Sequence, residues 1–293
     1  MDEPRQPSIR ISHPGWWLLW GALLCCAVFA LRFGLPYWRN DHLLAEVKRL
    51  GGSAKTRAGG PGWLRALLGD AAMRGFDDVI SLSLDGTPID DDWLRNLRRY
   101  PELETLYLSN TAVGDAGMAH LTGLPRLKEL SLFGTRVGDA GLEQLKRVPT
   151  LRHIAAGYTN VTDAGLVHVG QMPQLDYFGA RGDDVSDAGL AQLANLKNVT
   201  GLFLGETKIT DAGLVHIARM ARLQRMWVYE TDVTAGGLLK IAELPELKEI
   251  EVSMYQLSPD GLDDLNRLRP DLKVTVTTIE TNGSGFSRRR RRE

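Results

Sequence analysis

The chain has 293 residues, of which 43% are hydrophobic and 24% charged, and its formal net charge at pH 7 is -1. This composition is ordinary for a folded protein and gives no global reason to expect nucleic acid as a partner, since such partners are usually matched by an excess of basic charge. The two cysteines, Cys25 and Cys26, are adjacent and cannot cross-link distant parts of a secreted scaffold. We therefore expect packing alone to stabilise the fold.

An apolar segment follows a polar N-terminal segment of residues 1–14. Residues 15–31 read GWWLLWGALLCCAVFAL without a charge, and the run stays apolar past Arg32 as far as Trp38. A helix of that uncharged length spans about 25 Å, and a snorkelling arginine extends its reach towards a hydrocarbon core of about 30 Å. Aromatic residues at both ends fit the interfacial belts of a bilayer. The sequence therefore predicts a transmembrane helix at residues 15–38 and a membrane as partner.

Two alternatives to an anchor remain. Arg5 and Arg10 precede the apolar core and Ala30 ends a weak cleavage site, as in a secretory signal peptide, but bulky aromatic residues beyond it disfavour cleavage. A buried helix of a soluble domain would leave three tryptophans without an amphipathic pattern.

Basic residues are more numerous after the segment than before it, which favours a cytoplasmic location for the rest of the chain, although long domains often cross the membrane regardless of charge.

From Val79 onward the sequence repeats with a period of 24 residues, as in LETLYLSNTAVGDAGMAHLTGLPR and LKELSLFGTRVGDAGLEQLKRVPT. Apolar residues at positions 4 and 6 alternate as in a strand with one buried face, and those at positions 16, 19 and 22 form one stripe of a short helix. One parallel strand and one helix are predicted per repeat. The copies begin at Val79, Leu103, Leu127, Leu151, Leu175, Val199, Leu223 and Leu247, and a half-copy begins at Leu272 after one inserted residue.

Each helix is expected to begin at a recurrent DAG sequence. Position 12 carries Asp, Gly, Thr or Ser, which cap helices, and the aspartate after it in six copies faces the positive end of the helix dipole. The glycine of DAG recurs where a side chain would crowd the neighbouring coil. Position 9 is threonine in six copies, and its hydroxyl is expected to hydrogen-bond the loop backbone, whereas Asp183 and Tyr255 mark less regular coils.

These residues resemble the leucine-rich-repeat family, specifically the TDAGL variety that is frequent in bacterial proteins and close to ribonuclease-inhibitor-like and F-box-associated repeats. The resemblance covers residues 79–276. It implies an α/β fold, a curved solenoid with parallel strands on the concave face and helices on the convex face, here preceded by one transmembrane helix. Position 9 departs from the family pattern, in which Asn or Cys is usual. The resemblance implies partner binding by exposed concave side chains.

The expected localisation is the bacterial inner membrane, as a single-pass protein. Resemblance to anchored bacterial repeat proteins favours repeats outside the cytoplasm, whereas the count of basic residues favours the inside.

Three further segments flank the anchor and the repeats. Residues 39–62 contain GGSAKTRAGGPG and are predicted as a flexible linker. Residues 63–78 are expected to cap the open first repeat, as terminal segments of solenoids do. Residues 277–293 include five consecutive arginines and are predicted as a disordered basic tail, which would either meet anionic lipid or nucleic acid or, more simply, keep the chain soluble.

No motif indicates catalysis. His120, His168 and His216 share one repeat position, but successive members would lie about 10 Å apart, too far for one zinc ion. The DAG aspartates form a row and not a converging pair. No nucleophile, phosphate-binding or HExxH motif occurs in a supporting context. We therefore predict a non-enzymatic protein without a catalytic, cofactor-binding or metal site, and without a cofactor.

Positions 3, 5, 7 and 8 of the concave face carry aromatic residues and arginines, which are enriched in buried interfaces. The sequence therefore predicts a membrane-anchored protein–protein interaction module. An envelope- or carbohydrate-binding structural protein using this surface is the alternative, and side chains that merely shield the sheet are a third interpretation. Trp227 and Tyr229 are expected to be exposed together beside Phe203. The candidate residues are Tyr107, Phe133, Tyr158, Tyr177, Arg181, Phe203, Arg225, Trp227, Tyr229 and Glu230.

Overall fold

The computed structural model describes residues 35–280 and 288–291, together with Trp20, Gly21, Leu23 and Leu24. Two compact units are distinguished within the chain. The N-terminal unit comprises Met1–Glu46 and Arg57–Asp77, and the repeat unit comprises Val47–Thr56 and Asp78–Glu293.

The N-terminal unit contains most of helix α1 (Leu35–Arg49) and helix α2 (Gly62–Met73). Pro61 precedes α2, where its fixed φ suits the entry to a helix. The helix kinks at Gly69, whose φ of 80° interrupts the helical backbone, and a 3-10 turn (Arg74–Phe76) follows it.

The predicted transmembrane span, residues 15–38, falls mostly outside the described residues. Its described end, residues 35–38, forms the first turn of α1. Among the helices of the described ranges, none has the length and apolar character needed to cross a bilayer.

The prediction of a flexible linker at residues 39–62 is wrong for much of that stretch. Helix α1 continues to Arg49, and Gly51 then turns the chain with a φ of 90°. Strand β1 (Ser53–Arg57) follows and is the neighbour of the first repeat strand in the sheet. Gly51 forms a tight turn here, because positive φ suits glycine at a helix C-terminus. Residues 63–78, which we expected to cap the first repeat, contribute α2 and the 3-10 turn of the N-terminal unit.

Eleven strands of the described residues form one sheet in sequence order. From β2 to β10 each strand is parallel to the next, and paired residues are 24 apart, as in Leu106 opposite Leu130. The predicted repeat period is therefore confirmed. The strands after β1 are β2 (Asp78–Ser83), β3 (Thr105–Tyr107), β4 (Glu129–Ser131), β5 (His153–Ala155), β6 (Tyr177–Gly179), β7 (Gly201–Phe203), β8 (Arg225–Trp227), β9 (Glu249–Ser253), β10 (Lys273–Glu280) and β11 (Arg288–Arg291).

A short helix follows each repeat strand, as predicted, and the core lies between the strands and the helices. Leu106 and Leu108 from the strand segment and Met118 and Leu121 from the helix are fully buried, and the same pattern recurs along the chain. The helices are α3 (Asp91–Leu94), α4 (Asp115–Leu121), α5 (Asp139–Leu145), α6 (Asp163–Val169), α7 (Asp187–Gln192), α8 (Asp211–Ile217), α9 (Ala235–Ala242) and α10 (Pro259–Leu268).

The recurrent DAG aspartate joins neighbouring coils, a role that the helix-dipole interpretation missed. The Asp139 carboxylate accepts hydrogen bonds from the backbone N–H of Thr162 at 2.8 Å and from its hydroxyl at 2.7 Å. Thr162 in turn caps α6 by accepting from the N–H of Ala164 at 3.2 Å. Equivalent links extend from Asp91, which accepts from the N–H of Gly114, to Asp211, which accepts from the N–H of Thr234.

Two predictions about single repeat positions are confirmed. A Cβ atom on Gly141 would lie 2.7 Å from both Asp115 Oδ1 and Val137 Cγ1, so the coil leaves no room for a side chain. At position 9, the Thr87 hydroxyl donates to the carbonyl of Leu84 at 2.6 Å, and the other threonines bind the carbonyl three residues earlier in the same way.

The C-terminal end departs from two expectations. Strand β10 keeps the 24-residue register, with Val274 opposite Ile250, so the residue inserted before Leu272 does not shift the strand. Arg269 fixes the turn after α10 by donating to the carbonyls of Ala242 and Leu244 in the previous coil and of Leu247 at the start of its own coil. The sequence predicts a disordered tail, yet β11 pairs antiparallel with β10, because an edge strand offers unpaired backbone groups to a following segment.

Candidate partner-binding surface

The strand face is the side of the sheet that carries repeat positions 3, 5 and 7, away from the leucine core. Small residues and aromatic residues are neighbours on it. A Cβ atom on Gly201 would lie 3.0 Å from Phe203 Cε2 and 3.2 Å from Tyr177 Cδ2, and one on Gly205 would lie 2.6 Å from the Tyr229 ring. The glycines therefore provide the space in which the rings lie. This pairing of glycine with aromatic residues on adjacent strands is a sequence signal that the prediction of exposed rings did not use.

Three aromatic side chains form a row across strands β6, β7 and β8. The rings of Tyr177 and Phe203 have centroids 4.4 Å apart, and those of Phe203 and Trp227 lie 3.9 Å apart, edge to face. Phe203 is the direct strand partner of Trp227, as predicted. Offset and edge-to-face contacts of this kind stabilise aromatic pairs by about 1 kcal/mol beyond the burial of area. The row is thus a packed wall and not a set of independent side chains.

A polar cluster adjoins the row and bridges three consecutive coils. Arg181 Nε donates to Glu206 Oε1 at 2.8 Å, its Nη2 donates to the Tyr158 hydroxyl at 3.2 Å, and that hydroxyl donates to Glu206. The Arg181 guanidinium lies 5.2 Å from the Tyr158 ring centroid and 5.4 Å from that of Tyr229, within range of a cation–π interaction. Burial, followed by the hydrogen bond to Glu206, raises the pKa of Tyr158. The arginine is therefore held in one orientation beside the aromatic row.

Repeat position 8 has a left-handed backbone in seven copies. Gly86, Gly134 and Gly182 occupy it, and so does Asn110 with a φ of 56°. Tyr158, Glu206 and Glu230 adopt the same conformation, at a cost of about 1 kcal/mol or more each for a residue with a Cβ atom. Tyr158 and Glu206 are members of the polar cluster. Because the same conformation recurs in seven copies, it belongs to the turn of the repeat and is not particular to the cluster.

A cavity of about 170 Å³ opens between these groups. That volume is close to the roughly 150 Å³ of an engineered apolar cavity that holds benzene, so it accommodates one ring-sized or branched side chain. Its lining combines aromatic walls and a small-residue floor: Phe133, Ala155, Gly157, Tyr177, Gly179, Arg181, Phe203, Gly205, Trp227 and Tyr229.

Six of the ten predicted binding residues thus line one cavity, Tyr158 belongs to the polar cluster beside it, and three lie apart. Tyr107 lies 37% exposed at a separate polar hollow shared with Ser81 and Asp85. Arg225 is exposed on β8, close enough to Tyr177 to oppose the rise that burial causes in the pKa of that phenol. Glu230 is turned towards the next coil, where its carboxylate accepts from Ser253 Oγ at 2.8 Å.

The expectation that Trp227 and Tyr229 are exposed together is wrong. Tyr229 is only 2% exposed and Phe203 only 6%, and Trp227 is half-buried. The physical reason is the absence of a side chain on Gly205, which lets the Tyr229 ring pack flat against the neighbouring strand segment. The Trp227 indole nitrogen is buried and has no hydrogen-bond partner among the described residues. These residues form walls of a cavity, and their role in binding stays a prediction.

Asp183 follows Arg181, one of the cavity residues, by two positions in the sequence. It replaces the position 9 threonine, is buried, and accepts from the N–H of Thr159 at 2.6 Å and from its hydroxyl at 3.1 Å. Burial raises the pKa of Asp183 to about 7, although both bonds from Thr159 oppose that rise.

The histidine series lies on alternate helices, with His120 on α4, His168 on α6 and His216 on α8. Within the residues that the structure covers, no group of three or more His, Cys, Asp or Glu side chains is arranged to hold a metal ion.

A scan against protein-family models and a search of the curated proteins each find no match. Solved structures do match. Internalin C2 from Listeria monocytogenes is 20% identical, with a TM-score of 0.53, and the match covers 71% of this chain and 83% of that protein. At 20% identity, this likeness bears on the fold alone.

Two plant receptors give weaker matches. One is the leucine-rich-repeat ectodomain of the receptor kinase GASSHO1/SCHENGEN3 from Arabidopsis thaliana, in complex with CASPARIAN STRIP INTEGRITY FACTOR 2, at 16% identity and a TM-score of 0.44, covering 69% of this chain and 24% of that one. The other is the plant peptide hormone receptor RGFR1 in complex with RGF2, at 18% identity and a TM-score of 0.40, covering 61% and 29%. The chain therefore spans less than a third of the length of these receptors.

Proposed function

On the premise that the chain has a leucine-rich-repeat fold, we propose that it is a membrane-anchored recognition module whose strand face binds a protein partner and which catalyses no reaction. The observation that carries the proposal is the cavity bounded by Tyr177, Phe203, Trp227 and Tyr229. Aromatic walls that already pack against one another are preorganised, so a partner's side chain enters without first ordering the site.

The chemistry of the cavity favours an apolar side chain over a sugar. A sugar ring presents hydroxyls that need hydrogen-bond partners when they are buried. The charged side chain in the lining, Arg181, already binds Glu206 and Tyr158, so it is not free to pair with several hydroxyls of a sugar. An aliphatic or aromatic side chain of a protein needs only contact with the rings. Carbohydrate is therefore the second candidate, and the glycine floor and aromatic walls favour protein.

Arg225 supplies a charge beside the cavity. It is exposed, sits on the same strand as Trp227, and forms no ion pair within the described ranges. An arginine at the rim of an interface recognises a carboxylate through two parallel hydrogen bonds. The partner that fits best therefore inserts an apolar side chain next to an acidic residue.

The anchor in this proposal is a single-pass helix at residues 15–38, and the support for it is the apolar sequence of that run. We place the protein in the bacterial inner membrane, with the repeats outside the cytoplasm. Full-length protein is expected to stay with membranes through carbonate extraction, and a variant lacking residues 1–34, which keeps α1 whole, is expected to be released. A full-length chain that carbonate extracts is not anchored.

Protease added to intact spheroplasts should digest the repeats if they lie outside the cytoplasm. Full protection of the repeats from the protease would reverse the proposed orientation.

A displayed peptide library and a glycan array, each probed with the purified protein, separate the two classes of partner. We expect enrichment of peptides in which an aromatic or branched residue adjoins Asp or Glu. Binding to glycans without any peptide enrichment would replace the protein-partner proposal with the carbohydrate one.

A further inference from the structure

Helix α2 exposes three large apolar side chains. Trp63 is 69% exposed, Leu67 74% and Leu68 52%, and Ala71 beside them is exposed too. Scattered apolar residues are normal on a protein surface, but adjacent large ones usually mark a contact with another molecule or a membrane. We call the surface of Trp63, Leu67 and Leu68 the α2 face.

The exposure is not that of an unfolded or loosely held helix. Arg65, on the same helix, donates to the Gly59 carbonyl at 2.9 Å and to the Asp70 carboxylate at 2.9 Å, and also pairs with Asp77. Met73 at the end of the helix is fully buried. The inward side of α2 is therefore already packed, and the α2 face is what remains after that packing.

A hydrogen-bonded link fixes where α2 ends relative to α1. The Asn40 side chain is buried and donates to the Gly75 carbonyl at 3.1 Å and to the Asp77 carbonyl at 2.9 Å. Asn40 follows Trp38, the last residue of the apolar run, by two residues, or about 3 Å of helical rise. The turn after α2 is thus held at the point where the chain leaves the apolar run.

We propose that α2 lies in the headgroup region of a bilayer, with the α2 face towards the acyl chains. The proposal rests on the membrane anchor proposed above. A bilayer entered at Trp38 would have its surface beside the end of α2, and tryptophan with leucine is the composition of helices that lie in that interface. The ion pair of Arg65 with Asp70 reduces the cost of bringing these charges near lipid. The described side chains of the run itself, Trp20, Leu23 and Leu24, are also 60% to 66% exposed, as side chains that face lipid are.

The experiment uses the full chain in vesicles of phosphatidylcholine and phosphatidylglycerol, with Cys25 and Cys26 replaced by Ala. A fluorophore is attached through Leu67→Cys, or at a matched exposed apolar position on helix α8 through Val215→Cys, where the native side chain is 51% exposed. Nitroxide-labelled lipid should reduce the emission at position 67 about twofold or more and leave position 215 unchanged, since only interfacial residues meet the lipid.

If nitroxide-labelled lipid reduces the emission at position 67 no more than at position 215, in protein that carbonate does not extract, the α2 proposal is overturned and the anchor still stands. Quenching at position 67 in protein that carbonate does extract would keep the α2 proposal and remove the anchor. Protein that carbonate extracts and that shows no quenching at position 67 would overturn both the α2 proposal and the anchor. Self-quenching between labels at position 67, without quenching by lipid, would make the α2 face a contact between two copies and contradict the proposal.

A second variant separates lipid insertion from mere nearness to the membrane. Trp63→Gln with Leu68→Gln, in the protein labelled at position 67, should abolish the lipid quenching and leave the circular dichroism unchanged, because both side chains are exposed. Undiminished quenching in this variant would show that the α2 face does not insert, and would contradict the proposal.

Discussion

Asp183 occupies a position that threonine holds in six of the eight repeats. Burial raises its pKa to about 7 in the folded protein, from an ordinary value of 3.8. Between these two values the folded chain holds the proton and the unfolded chain has lost it. The free energy of unfolding therefore falls as pH rises, by about 1.4 kcal/mol for each unit between roughly pH 4 and pH 7.

Asp183→Asn should remove this pH dependence. The amide oxygen keeps an acceptor for the Thr159 N–H and carries no charge to bury. We expect the variant to be more stable than the parent at pH 8, by about 2 kcal/mol or more, and nearly equal to it at pH 4. Urea unfolding at both pH values measures the difference. Parallel stability curves for the two proteins from pH 4 to pH 8 would mean that Asp183 is ionised throughout this range.

A substitution at Tyr229 tests whether the aromatic side chains of the strand face stabilise the fold as well as line the cavity. Since the ring is 2% exposed, Tyr229→Ala should lower the free energy of unfolding by about 3 kcal/mol. Tyr107→Ala, at an exposed position of the same face, should cost less than about 1 kcal/mol. Thermal unfolding by circular dichroism compares them. If both variants melt like the parent, the buried ring contributes nothing to stability.

The helices of the repeats are short, and each one is held in place by hydrogen bonds from the coil that precedes it. The Asp115 carboxylate accepts from the N–H of Gly138 at 2.6 Å and from that of Gly141 at 2.9 Å, so the start of α5 is bound to the previous coil. A helix of about seven residues is not stable alone in water. The hydrogen bonds of the DAG aspartates and the buried leucines therefore act together to hold each helix in place.

Two glycine substitutions separate helix propensity from packing between coils. Gly141→Ala should destabilise the protein by about 1–3 kcal/mol, because its Cβ would lie 2.7 Å from Asp115 Oδ1. Gly236→Ala, in the first turn of α9, meets no atom nearer than 3.5 Å and should stabilise the protein by up to about 1 kcal/mol. Denaturant unfolding of the two variants gives the signs. A gain in stability from both would show that the coils are not closely packed at the DAG glycine.

At the scale of the whole molecule, periodicity made the architecture predictable. A 24-residue repeat with leucines at fixed positions brings Leu106 opposite Leu130 in any parallel arrangement, so the strand register followed from the sequence. Contacts between coils were less predictable. The Asp139 link to Thr162 crosses 23 residues and has no signature within a single repeat.

Two glycines act differently from what the sequence predicts, because the effect of a missing side chain depends on its surroundings. Gly51 lies in the predicted flexible linker, yet it provides the backbone of a turn. Gly205 carries no predicted role, yet its missing side chain makes room for the Tyr229 ring and changes an expected exposed residue into a buried one. The aromatic residues of the candidate site are identifiable from the sequence, but their burial and the cavity between them depend on neighbours on the next strand.

The most direct test of the proposed function is the dissociation constant of a library-selected peptide for the parent protein and for Trp227→Leu. Trp227 is half-buried and lines the cavity, so its replacement should keep the fold, as a thermal melt verifies, and raise the dissociation constant about thirtyfold, or roughly 2 kcal/mol. Val215→Ala, on helix α8, serves as the control and should bind like the parent. A folded Trp227→Leu variant that binds the peptide with unchanged affinity would contradict the claim that this cavity receives the partner.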